Sequence, residues 1–140
     1  MKARDIMTEN PRCVTPETSV QDAARLMKSA DAGSLPVIDS SESRRLVGII
    51  TDRDIALRVV GEGMSSAQVR DAMSPNPTSC GADDNVKDVL KAMSDAQIRR
   101  IPIVEGGMVV GIVSQADLVR QADSDRVEKT IEKISEPTGA

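Results

Sequence analysis

The sequence predicts an α/β (α+β) protein in which two β-α-β-β-α repeats pack with pseudo-twofold symmetry. Three observations carry that expectation. Residues 3–60 recur over 69–123; each copy has an apolar helical stripe, two β-branched runs and a second helix in the same order; and a unit of about 60 residues with so small a sheet buries too little surface to stand alone.

At a shift of 66, Arg4-Asp5-Ile6-Met7-Thr8 matches Arg70-Asp71-Ala72-Met73-Ser74, and Asn10-Pro11 matches Asn76-Pro77. Val20, Asp22 and Met27 match Val86, Asp88 and Met93, and Leu35-Pro36-Val37-Ile38-Asp39 matches Ile101-Pro102-Ile103-Val104-Glu105. After the loss of three residues in a turn, Gly48-Ile49-Ile50-Thr51-Asp52-Arg53-Asp54-Ile55 matches Gly111-Ile112-Val113-Ser114-Gln115-Ala116-Asp117-Leu118 at a shift of 63.

The elements follow in chain order. The segments after Asn-Pro, 12–14 and 78–80, read as short strands. Ser19, with Asp22 three residues on, has the form of a capping box, and Val20, Ala23, Ala24 and Met27 then mark one apolar helix face at i, i+3, i+4 and i+7. Asn85 precedes Val86, Val89, Leu90 and Met93 in the same way. β-branched runs come next, 35–39 and 46–50 in the first copy, 101–104 and 108–113 in the second, where Gly106-Gly107 signals a tight hairpin. A second helix begins near Asp52 or Gln115 and, in the first copy, stops before Gly61. The chain thus divides into repeat one (3–60), a linker (61–69) expected to start a short helix at Ser65 or Ser66, repeat two (70–121), and a charged C-terminal helix and tail (122–140). In that tail Val127, Ile131 and Ile134 share a face, as a lid on the adjacent core or a dimer contact.

Composition removes several function classes. The 140 residues carry 18 Lys+Arg against 22 Asp+Glu, for a net charge of −4, with 39% hydrophobic residues and no His, Phe, Tyr or Trp. Without His there is no Ser-His-Asp or Cys-His nucleophile pair and no His-ligated zinc or haem. Without aromatic rings, modules that stack nucleobases on Phe or Tyr are excluded, and the negative charge disfavours nucleic acid and anionic membranes. No run of about 18 apolar residues occurs, so a soluble cytoplasmic protein is expected. Cys13 and Cys80, with no C-x-x-C, read as free thiols. No carboxylate has a nucleophile or metal cluster beside it, which argues against an enzyme.

Asp-x-Met near the start of each copy, a hydrophobic-Pro strand, and Gly-hydrophobic-hydrophobic-Thr/Ser-x-x-Asp before the last helix recur in order over about 3–120. In this the chain resembles a tandem pair of CBS (cystathionine-β-synthase) domains, of the stand-alone bacterial type. The resemblance implies two clefts related by the pseudo-twofold axis. It further implies regulatory adenosine-containing ligands (AMP, ADP, ATP, S-adenosylmethionine or NAD) without an obligatory cofactor, and a protein partner that reads them. It also implies a homodimer formed through the second helices, where Ile55, Ala56, Val59, Leu118 and Val119 supply apolar surface. The alternative is a structural dimerisation scaffold with vestigial clefts.

Candidate site residues carry two readings each. Thr51 with Asp54, and Ser114 with Asp117, form a helix-capping pattern; equally, the carboxylate could accept both vicinal hydroxyls of a ribose while the hydroxyl contacts sugar or phosphate. The two roles can coexist. By the resemblance, Ala32 and Ile49 would hold adenine in the first cleft and Ile98 and Ile112 in the second, with backbone near Arg12 or Thr78 reading the base edge. Plain core is the simpler reading for the isoleucines. Arg99 and Arg100, which replace Gly33 and Ser34 of repeat one, would serve phosphate in the cleft of Asp54, and Arg53, opposite Ala116, in that of Asp117. Otherwise these arginines are solvated surface. Two cations at the first cleft would favour polyphosphate there.

Overall fold

The computed structural model describes residues 1–121, so the face of Val127, Ile131 and Ile134 lies outside the described residues. The chain runs α1 (Ala3–Ile6), β1 (Thr8–Glu9), α2 (Val20–Ala30), β2 (Ser34–Ile38), β3 (Leu46–Thr51), α3 (Asp52–Asp54) and a π-helix (Ile55–Val60). The order then repeats as α4 (Val69–Ala72), β4 (Ser74–Pro75), β5 (Cys80–Gly81), α5 (Val86–Ala96), β6 (Arg100–Glu105), β7 (Met108–Ser114) and α6, a helix over 115–121.

Capping sets the helix starts. Ser19 Oγ accepts from the Asp22 amide at 3.0 Å and Asn85 Oδ1 from the Lys87 amide at 2.9 Å, each satisfying an amide of the first turn that the helix cannot pair. Both helices end on a left-handed residue, Asp31 (φ 49°) and Gln97 (φ 55°). Their buried stripes are narrower than the sequence suggests. Val20, Ala23 and Met27 are buried, as are Val89 and Met93, but Ala24 and Leu90 are exposed. Both stand at i+4, on the flank of a stripe that one small sheet covers along a single line.

The sheets show how the repeats depend on each other. One has the order β2-β3-β4 and the other β1-β7-β6-β5. Strand β4, which leads into repeat two, pairs with β3 of repeat one (Ile49 opposite Ser74), while β1, which leads into repeat one, pairs with β7 of repeat two (Thr8 opposite Ile112). The short helices are exchanged likewise. The amides of Ala3 and Arg4 donate to Asp84 O and Ala82 O at 2.8 and 2.9 Å, and those of Val69 and Arg70 donate to Thr18 O and Pro16 O at 2.7 and 3.0 Å. Two cores result. Ala67, Val69 and Ala72 complete the one around Val37 and Ile50; Ala3 completes the one around Ile101, Ile103 and Val113, with Ile6 and Met7 packed against it.

Helix α4 starts at Val69 and not at Ser65 or Ser66. The signal is an aspartate at the third helical position: the Gln68 amide donates to Asp71 Oδ2 at 2.8 Å, and in α1 the Lys2 amide donates to Asp5 Oδ2 at 2.8 Å. A second departure lies after Asp54, where the helix winds as a π-helix. The outer position expected of Val59 does not hold: Val59 is buried with Ile55 packed on the same core, and the exposed residues are Leu57 (55%) and Val60 (73%).

The hairpin 105–108 turns on Gly106 (φ 58°) and Gly107 (φ 82°), the two left-handed positions of a tight turn. Gly111 has a different role, since Met7 lies directly on it. A Cβ there would stand 2.8 Å from Met7 Cγ and closer still to Sδ, and a Cβ on Gly48 would stand 3.0 Å from Met73 Sδ. The Asp-x-Met and Gly-hydrophobic-hydrophobic motifs are thus two halves of one contact across the exchange. Gly111→Ala is expected to destabilise the fold by about 1–3 kcal/mol, a loss of several degrees in Tm that thermal denaturation by circular dichroism measures. An unchanged Tm would show that Met7 does not hold β1 on β7.

Candidate functional site

Each strand-to-helix junction carries a complete capping box. Thr51 Oγ1 accepts from the Asp54 amide and Asp54 Oδ2 from the Thr51 amide, both at 3.0 Å. Ser114 Oγ accepts from the Asp117 amide at 3.1 Å and Asp117 Oδ2 from the Ser114 amide at 2.8 Å. Capping therefore uses one oxygen of each carboxylate and leaves Oδ1 for another partner. Asp54 Oδ1 lies 3.9 Å from Arg58 Nε, whereas Asp117 Oδ1 is bound by Arg120.

Between the repeats lies a cleft of about 350 Å³, within the range of small-molecule sites. Repeat one supplies Arg12, Ala32 and Ser34 to it, and repeat two supplies Arg100 and Ile112. Ser34 is paired with Thr51 in the β2–β3 ladder, so the Asp54 cap begins beside the cleft wall. The Arg12 guanidinium donates to Ser29 Oγ at 3.2 Å and that of Arg100 to Asp31 O at 3.3 Å. Among the described residues neither forms an ion pair with a carboxylate, which leaves two guanidinium charges at the cleft.

The expected grouping is met only in part. Arg12, Ala32 and Arg100 come together, but Arg99 lines a separate cavity of about 400 Å³ with Ile98, Gln115 and Leu118, because successive residues at a strand entry point to opposite faces. Ile112, expected in the second cleft, lines the first, since β7 carries β1 and the Thr8 opposite Ile112 is part of the same wall. Ile49 is half-buried in β3, Thr78 and Arg53 are exposed, and these three, like Thr51, Asp54, Ser114 and Asp117, line neither cavity. Sequence reasoning missed Thr8, Asn10 and Ser34. For Asn10 a signal existed: the repeated Asn-Pro reflects two left-handed asparagines, Asn10 (φ 49°) and Asn76 (φ 53°), a conformation asparagine tolerates better than most residues.

Both cysteines are free. Burial pushes the Cys13 thiol up, which Arg44 beside its Sγ partly offsets, and burial together with Asp84 and Asp88 raises Cys80. Among the described residues no group of three or more His, Cys, Asp or Glu side chains could hold a metal ion, and no helix is long and apolar enough to cross a membrane.

Known proteins share this architecture. The CBS domain profile matches residues 3–61 and 69–124. The Bacillus subtilis protein YlbB is 36% identical over 137 residues, covering 96% of this chain and 92% of that protein. Among solved structures, CBSX2 in complex with AMP superposes with a TM-score of 0.77 at 27% identity, over 88% of this chain and 97% of that one. The CBS domain pair of protein MJ0100, in complex with 5′-methylthioadenosine and S-adenosyl-L-methionine, gives a TM-score of 0.78 at 27% identity, over 89% and 98%. With both repeats matched along nearly the whole described chain and the pseudo-twofold fold in place, this protein belongs to the CBS domain family, as a tandem pair.

Proposed function

We propose that this CBS pair is a regulatory module that senses an adenosine nucleotide in the cleft between its repeats and passes the change in their packing to a protein partner. The observation that carries this reading is the pairing of Arg12 from one repeat with Arg100 from the other, two cations without carboxylate partners among the described residues, on one small cavity with apolar walls at Ala32 and Ile112. An anion bound between them is held by both repeats at once. Each charge-assisted hydrogen bond contributes about 1.5–3 kcal/mol, enough to bias two packings that differ by a few kcal/mol. The related structures that hold AMP, or methylthioadenosine and S-adenosylmethionine, support the adenosyl class. Two guanidiniums favour a phosphate-bearing member of it over the cationic sulfonium.

In this reading Asp54 Oδ1 accepts the ribose hydroxyls, Thr51 orients the cap, and Ala32 and Ile112 flank the base. Ser114 and Asp117 are the corresponding groups of the second cleft. Dimerisation accompanies the function. Leu57, Val60, Leu90 and Val119 are apolar, exposed and carried on the helices, more surface than one small chain covers by itself.

Calorimetry with adenosine, AMP, ADP and ATP tests the site. Asp54→Ala is expected to abolish binding at the first cleft at a stability cost near 1 kcal/mol for the lost cap. Arg100→Ala is expected to weaken ATP about tenfold and adenosine little, with the difference shrinking as salt rises. Equal weakening of both would remove Arg100 from phosphate binding. A panel that gives no heat at all would leave the scaffold reading standing in place of the sensor.

Light scattering tests the assembly. At tens of micromolar, twice the 14.9 kDa chain mass is expected, falling to one chain mass in Leu57→Asp with Val60→Asp. A wild-type protein that stays at one chain mass would refute the dimer.

A further inference from the structure

We propose that Arg120 is a built-in competitor for the ligand of the second cleft, so that the two clefts of this chain fill at different ligand concentrations. The inference rests on the reading of Asp54 and Asp117 as ribose-binding carboxylates. The two share their capping bonds and differ in the oxygen that capping leaves over. In repeat one the residue three places after Asp54 is Leu57, which cannot pair with it. The nearest cation, Arg58, is drawn away: its guanidinium donates to Ala72 O at 3.0 Å and Met73 O at 3.2 Å, at the end of α4, and Nε stays 3.9 Å from Asp54 Oδ1.

In repeat two the place of Leu57 is taken by Arg120, which binds Asp117 Oδ1 directly. Asp117 is then engaged at both oxygens, Oδ2 by the Ser114 amide and Oδ1 by the guanidinium, and it is the only buried charged side chain among the described residues. A carboxylate accepts a vicinal diol through oxygens with free lone pairs. At Asp54 a diol meets at Oδ1 only the looser 3.9 Å contact of Arg58 Nε; at Asp117 it must first displace Arg120. The displacement is affordable, because the arginine side chain is 75% exposed and returns to water when released. Arg120 is therefore a positioning residue that lowers the affinity of one cleft without closing it.

The test isolates the second cleft in an Asp54→Asn background, where the amide oxygen still accepts from the Thr51 amide, and uses adenosine, which carries no phosphate charge. Arg120→Ala and Arg120→Gln in this background are expected to bind adenosine about five- to tenfold more tightly than their parent. Raising salt from roughly 0.05 to 0.5 M is expected to tighten adenosine binding in the parent, where it screens the ion pair, and to leave both variants unmoved. A purely structural role for Arg120 would lower Tm and leave the salt response of binding alike in all three. Unchanged or weaker adenosine binding in the variants, or equal salt responses, would overturn the competitor while nucleotide binding by the wild type still upheld the parent reading. Absence of heat in every protein, wild type included, would overturn the parent reading and the competitor together.

Discussion

The exchange of the two Asp-x-Met segments is the constraint on which the rest of the structure depends. Ala3 is fully buried in the core around Ile101, Ile103 and Val113, with Ile6 and Met7 packed against it, although in sequence it leads into the other repeat. Val69 and Ala72 do the same for the core around Val37 and Ile50. Full burial of an aliphatic side chain such as Val69 contributes about 1.5–3 kcal/mol, and the aspartates that cap α1 and α4 hold the exchanged turns in the helical form that buries them. Where Met7 and Met73 cross the partner strand, only glycine leaves room, which is why Gly48 and Gly111 recur at matching places.

The cleft is a by-product of this exchange. Having left β7, the chain must travel back to reach α2, and Asn10, Pro11 and Arg12 make the crossing as one wall of the cavity. Arg44 fastens the wall from behind, donating to Pro11 O and Val109 O, both at 3.3 Å, while the Val109 amide donates back to Arg44 O at 2.8 Å. A ligand gripping Arg12 and Arg100 would pull on a segment tied to both sheets, the mechanical requirement for a small molecule to alter how the repeats meet.

The fold was legible in the sequence wherever a local rule had a local cause. Ser19, Asn85, Thr51 and Ser114 each announced a helix start because their hydroxyl or amide oxygens act within three residues, and Gly106-Gly107 announced the hairpin for the same reason. What escaped depends on contacts distant in sequence. Nothing near Ile112 says that it lines the first cleft, since that follows from Thr8 lying opposite it on a strand more than a hundred residues away. Arg99 and Arg100 are neighbours in the chain and parted in space by the alternation of a strand whose first residue the sequence does not mark. The π-winding of Ile55–Val60 had no signature either, and Val59, expected on the outer surface, is buried in the core of the first repeat. In the site, the capping half of the Thr51–Asp54 and Ser114–Asp117 motifs was visible, while the unequal fates of their second oxygens lay in Arg58 and Arg120.

One consequence of the crossed segments reaches past this chain. A polypeptide carrying a single such repeat could not fill its own core; it would have to lend its leading turn to a second molecule and borrow that molecule's turn in exchange, so its natural state would be an intertwined dimer. Joining two repeats through 61–66 turns that encounter into an intramolecular one, at an effective concentration in the millimolar range for a short flexible link. Folding then no longer depends on protein concentration, and the two halves, released from the need to be identical, are free to diverge in what each cleft accepts.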